Sequence, residues 1–254
     1  MERRKFVYTT LAASSLPLMA KAGLAGNPVS LEKELFEIRT YDLKFGANRQ
    51  FLEDYLRKVL GPALMKKGVT HFMLLGELGM TDPPKLRVII NYPSPAAFIE
   101  AQNLQDDPVY MEAAADYNQL SPEEALYTRF TSSLLLAFDG MPKMKEPVKD
   151  ASLFELRTYE GYSEDAVRRK IRMFNNGEMD IFQQTGFHPV FYGEMIVGPY
   201  RPCLTYMLSF KDMAERDALW KGFGASPAWK EISTREEYAN TVSNIHRIFL
   251  QPLP

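Results

Sequence analysis

An internal repeat constrains this chain more than any other feature of its sequence. The segment LFEIRTY at residues 35–41 returns as LFELRTY at residues 153–159, an offset of 118. Further landmarks follow in the same order at similar offsets, namely the Gly-Glu pairs at 76–77 and 193–194, the prolines at 108 and 227, and the Glu-Glu pairs at 123–124 and 236–237. Chance could produce one of these matches but hardly all of them, so the ordered series with a drifting offset indicates a duplication.

The duplication divides the chain into two similar units. It predicts a first unit over residues 31–142, a linker rich in Pro, Lys and Glu over residues 143–150, and a second unit over residues 151–254. In the second unit, the hydrophobic pattern alternates with period two over residues 154–159 and then becomes helical. Ser163 can cap this helix and Gly186 can end it. Two strands, a helix capped by Asp212 and a last strand complete the predicted order.

This order of elements is that of a ferredoxin-like βαββαβ unit. Both helices then lie on one face of a four-stranded antiparallel sheet, and the other face needs a cover. The second copy of the unit can supply that cover. We therefore predict an α+β fold in which tandem ferredoxin-like repeats form a pseudo-dimer of the dimeric α/β-barrel type, with the two sheets facing each other and the helices outside.

The repeated strands supply the candidate ligand-binding residues. Strand alternation separates a polar face from a more apolar one, and we expect the apolar face to lie under the helices and the polar face to line the interior. The polar residues, which could hold an anionic or carbonyl group through the two arginines, are Glu37, Arg39, Tyr41, Glu155, Arg157 and Tyr159. Glu77 and Glu194 are the expected partners of the arginines. The alternative is a cross-strand ion pair that closes the barrel and binds nothing.

Histidine and cysteine are too sparse to predict a metal site. The three histidines, His71, His188 and His246, form no zinc-binding spacing, and the single Cys203 excludes a cysteine cluster. We therefore predict no metal and no cofactor, and we assign no catalytic residue. His188 remains a candidate site residue, as a general base, a haem ligand or a hydrogen-bonded structural residue.

The net charge bears on nucleic-acid binding, and the N-terminal residues bear on the location of the protein. The formal net charge of -2 provides no basic field for nucleic acid. Arg3, Arg4 and Phe6 open a short apolar stretch that ends at Ala20-Lys21-Ala22, which is typical of a twin-arginine signal peptide over residues 1–22. The alternative is a disordered basic tail. The stretch is too short and too polar to span a membrane, so we expect an exported, periplasmic protein.

Several segments of the second unit resemble the NIPSNAP family. They are FELRTY at 154–159, GEMIVGP at 193–199, PCLTYML at 202–208 and PAWK at 227–230, and the first unit shares mainly FEIRTY at 36–41. The resemblance implies a dimeric α/β-barrel fold, in agreement with the topology derived above. It implies no agreed catalytic residues.

Three functions remain open at this point. The leading prediction is an exported barrel that binds a small, partly apolar ligand carrying an anionic or carbonyl group. The first alternative is a cofactor-independent oxygenase or isomerase that uses His188 or Tyr159. The second is an oligomeric adaptor that works through an aromatic surface around Trp220 and Trp229.

Overall fold

Eight strands form the centre of the protein. The computed structural model describes residues 33–79 and 81–253, and the predicted signal peptide at residues 1–22 lies outside them. The strands are β1 (Leu35–Leu43), β2 (Phe72–Glu77), β3 (Lys85–Tyr92), β4 (Tyr127–Ala137), β5 (Leu153–Glu160), β6 (His188–Val197), β7 (Cys203–Phe210) and β8 (Asn244–Pro252).

Helical segments follow the first and third strand of each half. In the first half they are α1 (Arg49–Tyr55), a π-helical turn (Leu56–Leu60), α2 (Gly61–Met65), α3 (Pro95–Ala101), a 3-10 turn (Leu104–Asp106), α4 (Pro108–Ala113) and α5 (Ala115–Asn118). In the second half they are α6 (Glu164–Met173), a π-helical turn (Phe174–Glu178), α7 (Met179–Thr185), α8 (Met213–Ala225), α9 (Pro227–Ser233) and a 3-10 turn (Glu236–Tyr238). Among the described residues, none of these helices is long and apolar enough to cross a membrane.

The predicted helix ends in the second half are confirmed. The Ser163 hydroxyl accepts a hydrogen bond from the Ala166 amide at 3.2 Å, and the Asp212 carboxylate accepts one from the Glu215 amide at 2.8 Å. These bonds satisfy amides that have no partner within the helix. Gly186 ends α7 in the left-handed conformation, with φ of 92°.

The strands close into one antiparallel barrel in the order β1-β3-β2-β8-β5-β7-β6-β4. The first four strands are adjacent in the order β4-β1-β3-β2, and the last four in the order β8-β5-β7-β6. Two short stretches of strand pairing connect these two groups. β2 pairs with β8 from Leu75 to Glu77, and β4 pairs with β6 from Leu134 to Ala137. The chain thus has a mixed α/β fold around a closed barrel of eight strands.

The facing predicted for the repeated strands is wrong. Phe154 and Leu156 belong to the core inside the barrel, whereas Tyr159 belongs to the core beneath the helices. The physical reason is the distribution of polar partners. Inside the barrel, the two sheets meet through apolar side chains such as Phe36 and Phe191, whose ring centroids are 5.0 Å apart. On the opposite face, the buried carboxylates have polar partners. Those of Glu37 lie on the neighbouring strands, and α8 brings Arg216 and Trp220 to Glu155.

Candidate ligand-binding site

The first repeated strand holds a buried ion pair beneath the helices. Arg39 donates from Nε and Nη2 to the two carboxylate oxygens of Glu37, at 2.7 and 3.0 Å. Glu37 also accepts hydrogen bonds from Tyr92, at 2.7 Å, and from the Ser132 hydroxyl. Four donors therefore fix this carboxylate. A guanidinium carries five N–H donors, and the bonds to Glu37 use two of them.

The second repeated strand carries the equivalent pair, with a larger set of donors. Glu155 accepts hydrogen bonds from Arg157 at 2.6 Å, from Arg216 at 2.8 and 3.1 Å, and from the Trp220 indole at 2.8 Å. Burial acts to raise the pKa of Glu155, but the bonds from Arg216, Arg157 and Trp220 outweigh it and leave the pKa below its usual value. Glu155 is therefore an ionised structural anchor.

Aromatic side chains fill the space above Arg157. The Trp220 ring lies over the guanidinium with its centroid 4.5 Å away, which is the geometry of a cation–π contact. Phe223 and Trp229 continue this layer, with ring centroids 4.5 Å apart. Trp220 and Trp229 are partly buried against the core. They do not form the exposed patch that the adaptor hypothesis requires.

A cavity of about 480 Å³ lies beside Arg39 in the first half. Gln102, at the end of α3, is the residue of the first half that corresponds to Trp220 of the second half. The two positions are 118 residues apart, which is the offset of the repeat. Gln102 lines the cavity and leaves open the space that an indole fills in the second half. We call this space the tyrosine cavity; its other polar and aromatic lining residues are Arg39, Tyr41, Tyr55, Gln105, Tyr110, Tyr117, Asn118, Tyr127 and Phe130.

The tyrosine rings of this cavity form a connected wall. Tyr55 and Tyr117 stack with their centroids 3.6 Å apart and their planes 2° from parallel. The Tyr55 hydroxyl lies 2.8 Å from that of Tyr110, and the Tyr117 hydroxyl lies 2.9 Å from that of Tyr127. Tyr41 packs edge-on against Tyr127 at 5.0 Å. A flat ligand in this cavity would contact these rings and Arg39.

Tyr41, Tyr55, Tyr117 and Arg39 keep fixed protonation states near neutral pH. Burial raises the pKa of Tyr41 to about 12, and it raises the pKa of Tyr55 and Tyr117 still further. Burial acts to lower the pKa of Arg39, but its bonds with Glu37 outweigh this and raise the pKa above its usual value. The cavity therefore presents phenol groups and one cation.

The remaining candidate residues lie elsewhere. Glu77 forms an ion pair with Arg87 inside the barrel, so the prediction that it pairs with Arg39 or Arg157 is wrong. The reason is that these two arginines pair with glutamates on their own strands. Glu194 pairs in register with Leu204 and Leu136 on β7 and β4, and is half-buried. The prediction that it is the partner of a repeated arginine is also wrong.

His188 and Tyr159, the two alternative residues for an oxygenase or isomerase, lie in different surroundings. His188 is exposed at the first position of β6. Tyr159 is buried, and its hydroxyl lies 2.8 Å from that of Tyr206. Neither residue lines the tyrosine cavity. Among the residues that the structure describes, no group of three histidine, cysteine or acidic side chains is placed to hold a metal ion.

Sequence reasoning missed the aromatic wall of the first half. Tyr110, Tyr117 and Tyr127 come from α4, α5 and β4, and Tyr55 comes from α1. The available signal was the run of three tyrosines within residues 110–127. This run has no counterpart in the second half, so it could have pointed to a role restricted to the first unit.

Comparison with known proteins supports the fold. Residues 154–254 match the NIPSNAP family. A candidate monooxygenase from Fusobacterium nucleatum superposes with a TM-score of 0.59 and 14% identity, over 87% of this chain and 93% of that protein. A candidate monooxygenase from Lactobacillus acidophilus superposes with a TM-score of 0.54 and 14% identity, over 86% of this chain and 93% of that protein. At this identity the two likenesses show a shared α/β-barrel fold.

A further likeness is limited to part of the chain. An uncharacterised NIPSNAP-like domain protein from Burkholderia xenovorans aligns with 41% of this chain and 87% of its own length, with 18% identity and a TM-score of 0.37. Among curated proteins, none shows significant similarity to this sequence.

Proposed function

We propose that this chain is a NIPSNAP-like protein made of two ferredoxin-like repeats, and that its first repeat binds a small, partly apolar molecule through a carbonyl or anionic oxygen. One observation carries the proposal: the Arg39 guanidinium, held by Glu37, lines a cavity of about 480 Å³ whose other walls are largely aromatic. Apolar pockets with a few fixed polar groups are typical of small-molecule sites.

The positions of corresponding elements support the duplication. The π-helical turns begin at Leu56 and Phe174, and β3 and β7 begin at Lys85 and Cys203, so both pairs repeat the sequence offset of 118. Each group of four strands also has the spatial order fourth, first, third, second. The proposed units are residues 31–142 and 151–254, joined by the linker at 143–150.

The hydrogen-bond donors and acceptors that are still free in the tyrosine cavity indicate the chemistry of the ligand. Glu37 already accepts four hydrogen bonds, so the ligand has little to gain as a donor to this carboxylate. Arg39 is a donor only, and the hydroxyls of Tyr41, Tyr55 and Tyr117 can also donate because their raised pKa values keep them protonated. The ligand therefore needs an acceptor oxygen on a flat, partly apolar body.

Probe binding tests the proposal by thermal shift and calorimetry. We expect 4-hydroxyacetophenone or 4-hydroxybenzoate to stabilise the protein, and 4-ethylphenol, which lacks the carbonyl group, to do so less. Gln102→Trp places the second half's residue in the cavity and should abolish the effect. Asn103→Trp adds the same bulk at an exposed neighbouring position and should not.

Two results would count against the proposal. One is that neither carbonyl probe stabilises the protein. The other is that Gln102→Trp, shown by its melting curve to be folded, binds the probes as well as the unmodified chain does. Oxygen consumption measured in the same titrations would separate binding from the oxygenase alternative.

Export is a separate part of the proposal. Arg3 and Arg4, with the apolar stretch after them, support a twin-arginine signal peptide over residues 1–22. Expressed in a bacterial host, the chain should appear in the periplasm with its N-terminus after Ala22. Replacing both arginines by lysine should leave it unprocessed in the cytoplasm; equal processing of this variant would refute the twin-arginine route.

A further inference from the structure

A second cavity lies inside the barrel, at the end where β1 and β5 finish. Four antiparallel steps separate β1 from β5 around the barrel, so the two strands run in the same direction and end on the same side. The cavity has a volume of about 260 Å³ and is lined by strands of both halves. We call it the mouth cavity. The sheet separates it from the tyrosine cavity, because Thr40 faces inward while its neighbours Arg39 and Tyr41 face the helices.

Hydroxyl groups line the wall of the mouth cavity. They belong to Thr40, Thr131, Ser133, Thr158 and Thr205. The Thr158 and Thr205 hydroxyls lie 2.8 Å apart, so one donates to the other and the second keeps a free proton. The Thr40 hydroxyl accepts from Arg87 at 2.7 Å and also keeps its proton. These groups are donors that can turn toward a bound acceptor.

Ser133 and Thr131 are the two of these residues whose hydroxyls have no hydrogen-bond partner within the described residues, and Ser133 is the more buried of the two. Its side chain lines the cavity and the residue is only 9% exposed. Within the described part of the chain, the Ser133 hydroxyl has no hydrogen-bond partner. The Ser133 oxygen is not among the fully buried atoms that lack a partner, so it is open to the cavity, where water or a ligand can satisfy it.

The charged residues that line the cavity are basic. Lys85, Arg87, His246 and Arg247 contribute to the lining, and none of the described lining residues is acidic. Asp42, Glu77 and Glu160 pair with the first three of these residues. These ion pairs offset the charges of Lys85 and Arg87, whereas Arg247 has no ion pair within the described residues. The one uncompensated guanidinium at the rim favours an anion.

The floor of the mouth cavity is apolar. It is formed by Ile38, Leu156, Met195 and Ile248, which belong to or pack against the interior core. A ligand with a charged head at the rim can therefore bury a short hydrocarbon tail here. The Tyr200 ring closes one side, with its centroid 4.2 Å from that of His246.

We propose that the mouth cavity binds a small carboxylate with a short branched or linear apolar tail. The carboxylate accepts hydrogen bonds from Ser133 and the neighbouring threonine hydroxyls, while the tail contacts the floor. This site is independent of the ligand proposed for the tyrosine cavity, and either proposal can fail alone.

Ligand-observed NMR titration of the full chain tests the site with sodium isobutyrate as the probe. We compare it with isobutyramide, which has the same shape and no charge, and with inorganic phosphate, which has no tail. Isobutyrate should bind more tightly than either. Ser133→Ala should weaken its binding by about tenfold, the loss expected for one hydrogen bond to a charged group. Gln102→Trp, which fills the other cavity, should leave the affinity within twofold.

Each remaining outcome overturns the proposal. If isobutyrate does not bind, or if isobutyramide binds equally well, the cavity does not recognise a carboxylate. If phosphate binds more tightly, the apolar floor plays no part. If Ser133→Ala folds normally and keeps the affinity of the unmodified chain, or if Gln102→Trp removes binding, the probe occupies another site.

Discussion

Replacing Glu155 by Gln should destabilise the protein more than any single exposed charge change. Glu155 is fully buried and accepts four hydrogen bonds from Arg157, Arg216 and Trp220. The glutamine amide keeps one acceptor oxygen and adds two donors, which face three existing donor groups. Arg157 then loses its counter-charge, and Arg216 keeps only the exposed carboxylate of Asp217.

The size of this effect follows from the burial of the two arginines. Removing one partner of a buried ion pair costs about 3–5 kcal/mol. The side chains of Arg157 and Arg216 retain 11% and 13% exposure, so water can reach part of each guanidinium. We therefore expect the lower end, about 3 kcal/mol. In a chain of this size, that lowers the melting temperature by about 6–12 °C.

Urea unfolding with a matched control measures this loss. Glu231→Gln also removes a carboxylate paired with an arginine, but on the surface of α9, where Glu231 is 72% exposed. It should cost less than about 1 kcal/mol. If Glu155→Gln also costs less than about 1 kcal/mol, Glu155 is not the anchor that the hydrogen bonds indicate, and the reasoning is wrong.

The same experiment has a defined pH dependence. The pKa of Glu155 is lower in the folded protein than in the unfolded chain. Its ionised form therefore stabilises the fold above the unfolded pKa, and this contribution is lost as the pH falls through the folded value. The difference in unfolding free energy between the unmodified chain and Glu155→Gln should be constant near neutral pH and shrink in acid. A difference that grows in acid would contradict this assignment.

Three further perturbations test other parts of the fold. The Lys170 ammonium lies 2.6 Å from the Glu178 carboxylate and both are buried, so Glu178→Gln leaves the ammonium without its partner. Urea unfolding should show a loss of about 3 kcal/mol in unfolding free energy. The double variant with Lys170→Met should lose less than the sum of the two single variants. Gly198→Ala should lower the melting temperature, because φ is 146° and an added Cβ would lie 2.7 Å from Met195 Sδ. Phe191→Ala should cost about 3–5 kcal/mol by opening a cavity in the barrel interior, and a loss below about 1 kcal/mol would contradict the packing there.

A cavity lies beside the arginine of the first half, whereas an indole covers the arginine of the second half, and a few side chains account for this difference. Each half keeps the glutamate–arginine pair on its first strand, so the pair itself does not make a site. In the second half, Trp220 covers Arg157; in the first, Gln102 stands at the corresponding position and the arginine lines a cavity. The size of the side chains on the helices therefore decides whether space is left open beside the arginine.

The sequence by itself determined the order of elements and the helix ends. Strand alternation, the caps at Ser163 and Asp212 and the stop at Gly186 are local properties, because each depends on residues within a few positions of one another. The repeated segment also led to a barrel with helices outside, which agrees with the closed sheet.

Tertiary structure alone decided which face of each strand points inward. Alternation separates Glu155 from Phe154 but cannot say which of them meets the helices, since both faces contain apolar residues. The decision depends on partners distant in sequence: Arg216 and Trp220 reach Glu155 from α8, and Phe191 meets Phe36 across the barrel. Because burying a carboxylate is unfavourable without such partners, the helix that carries them fixed the orientation of the strand.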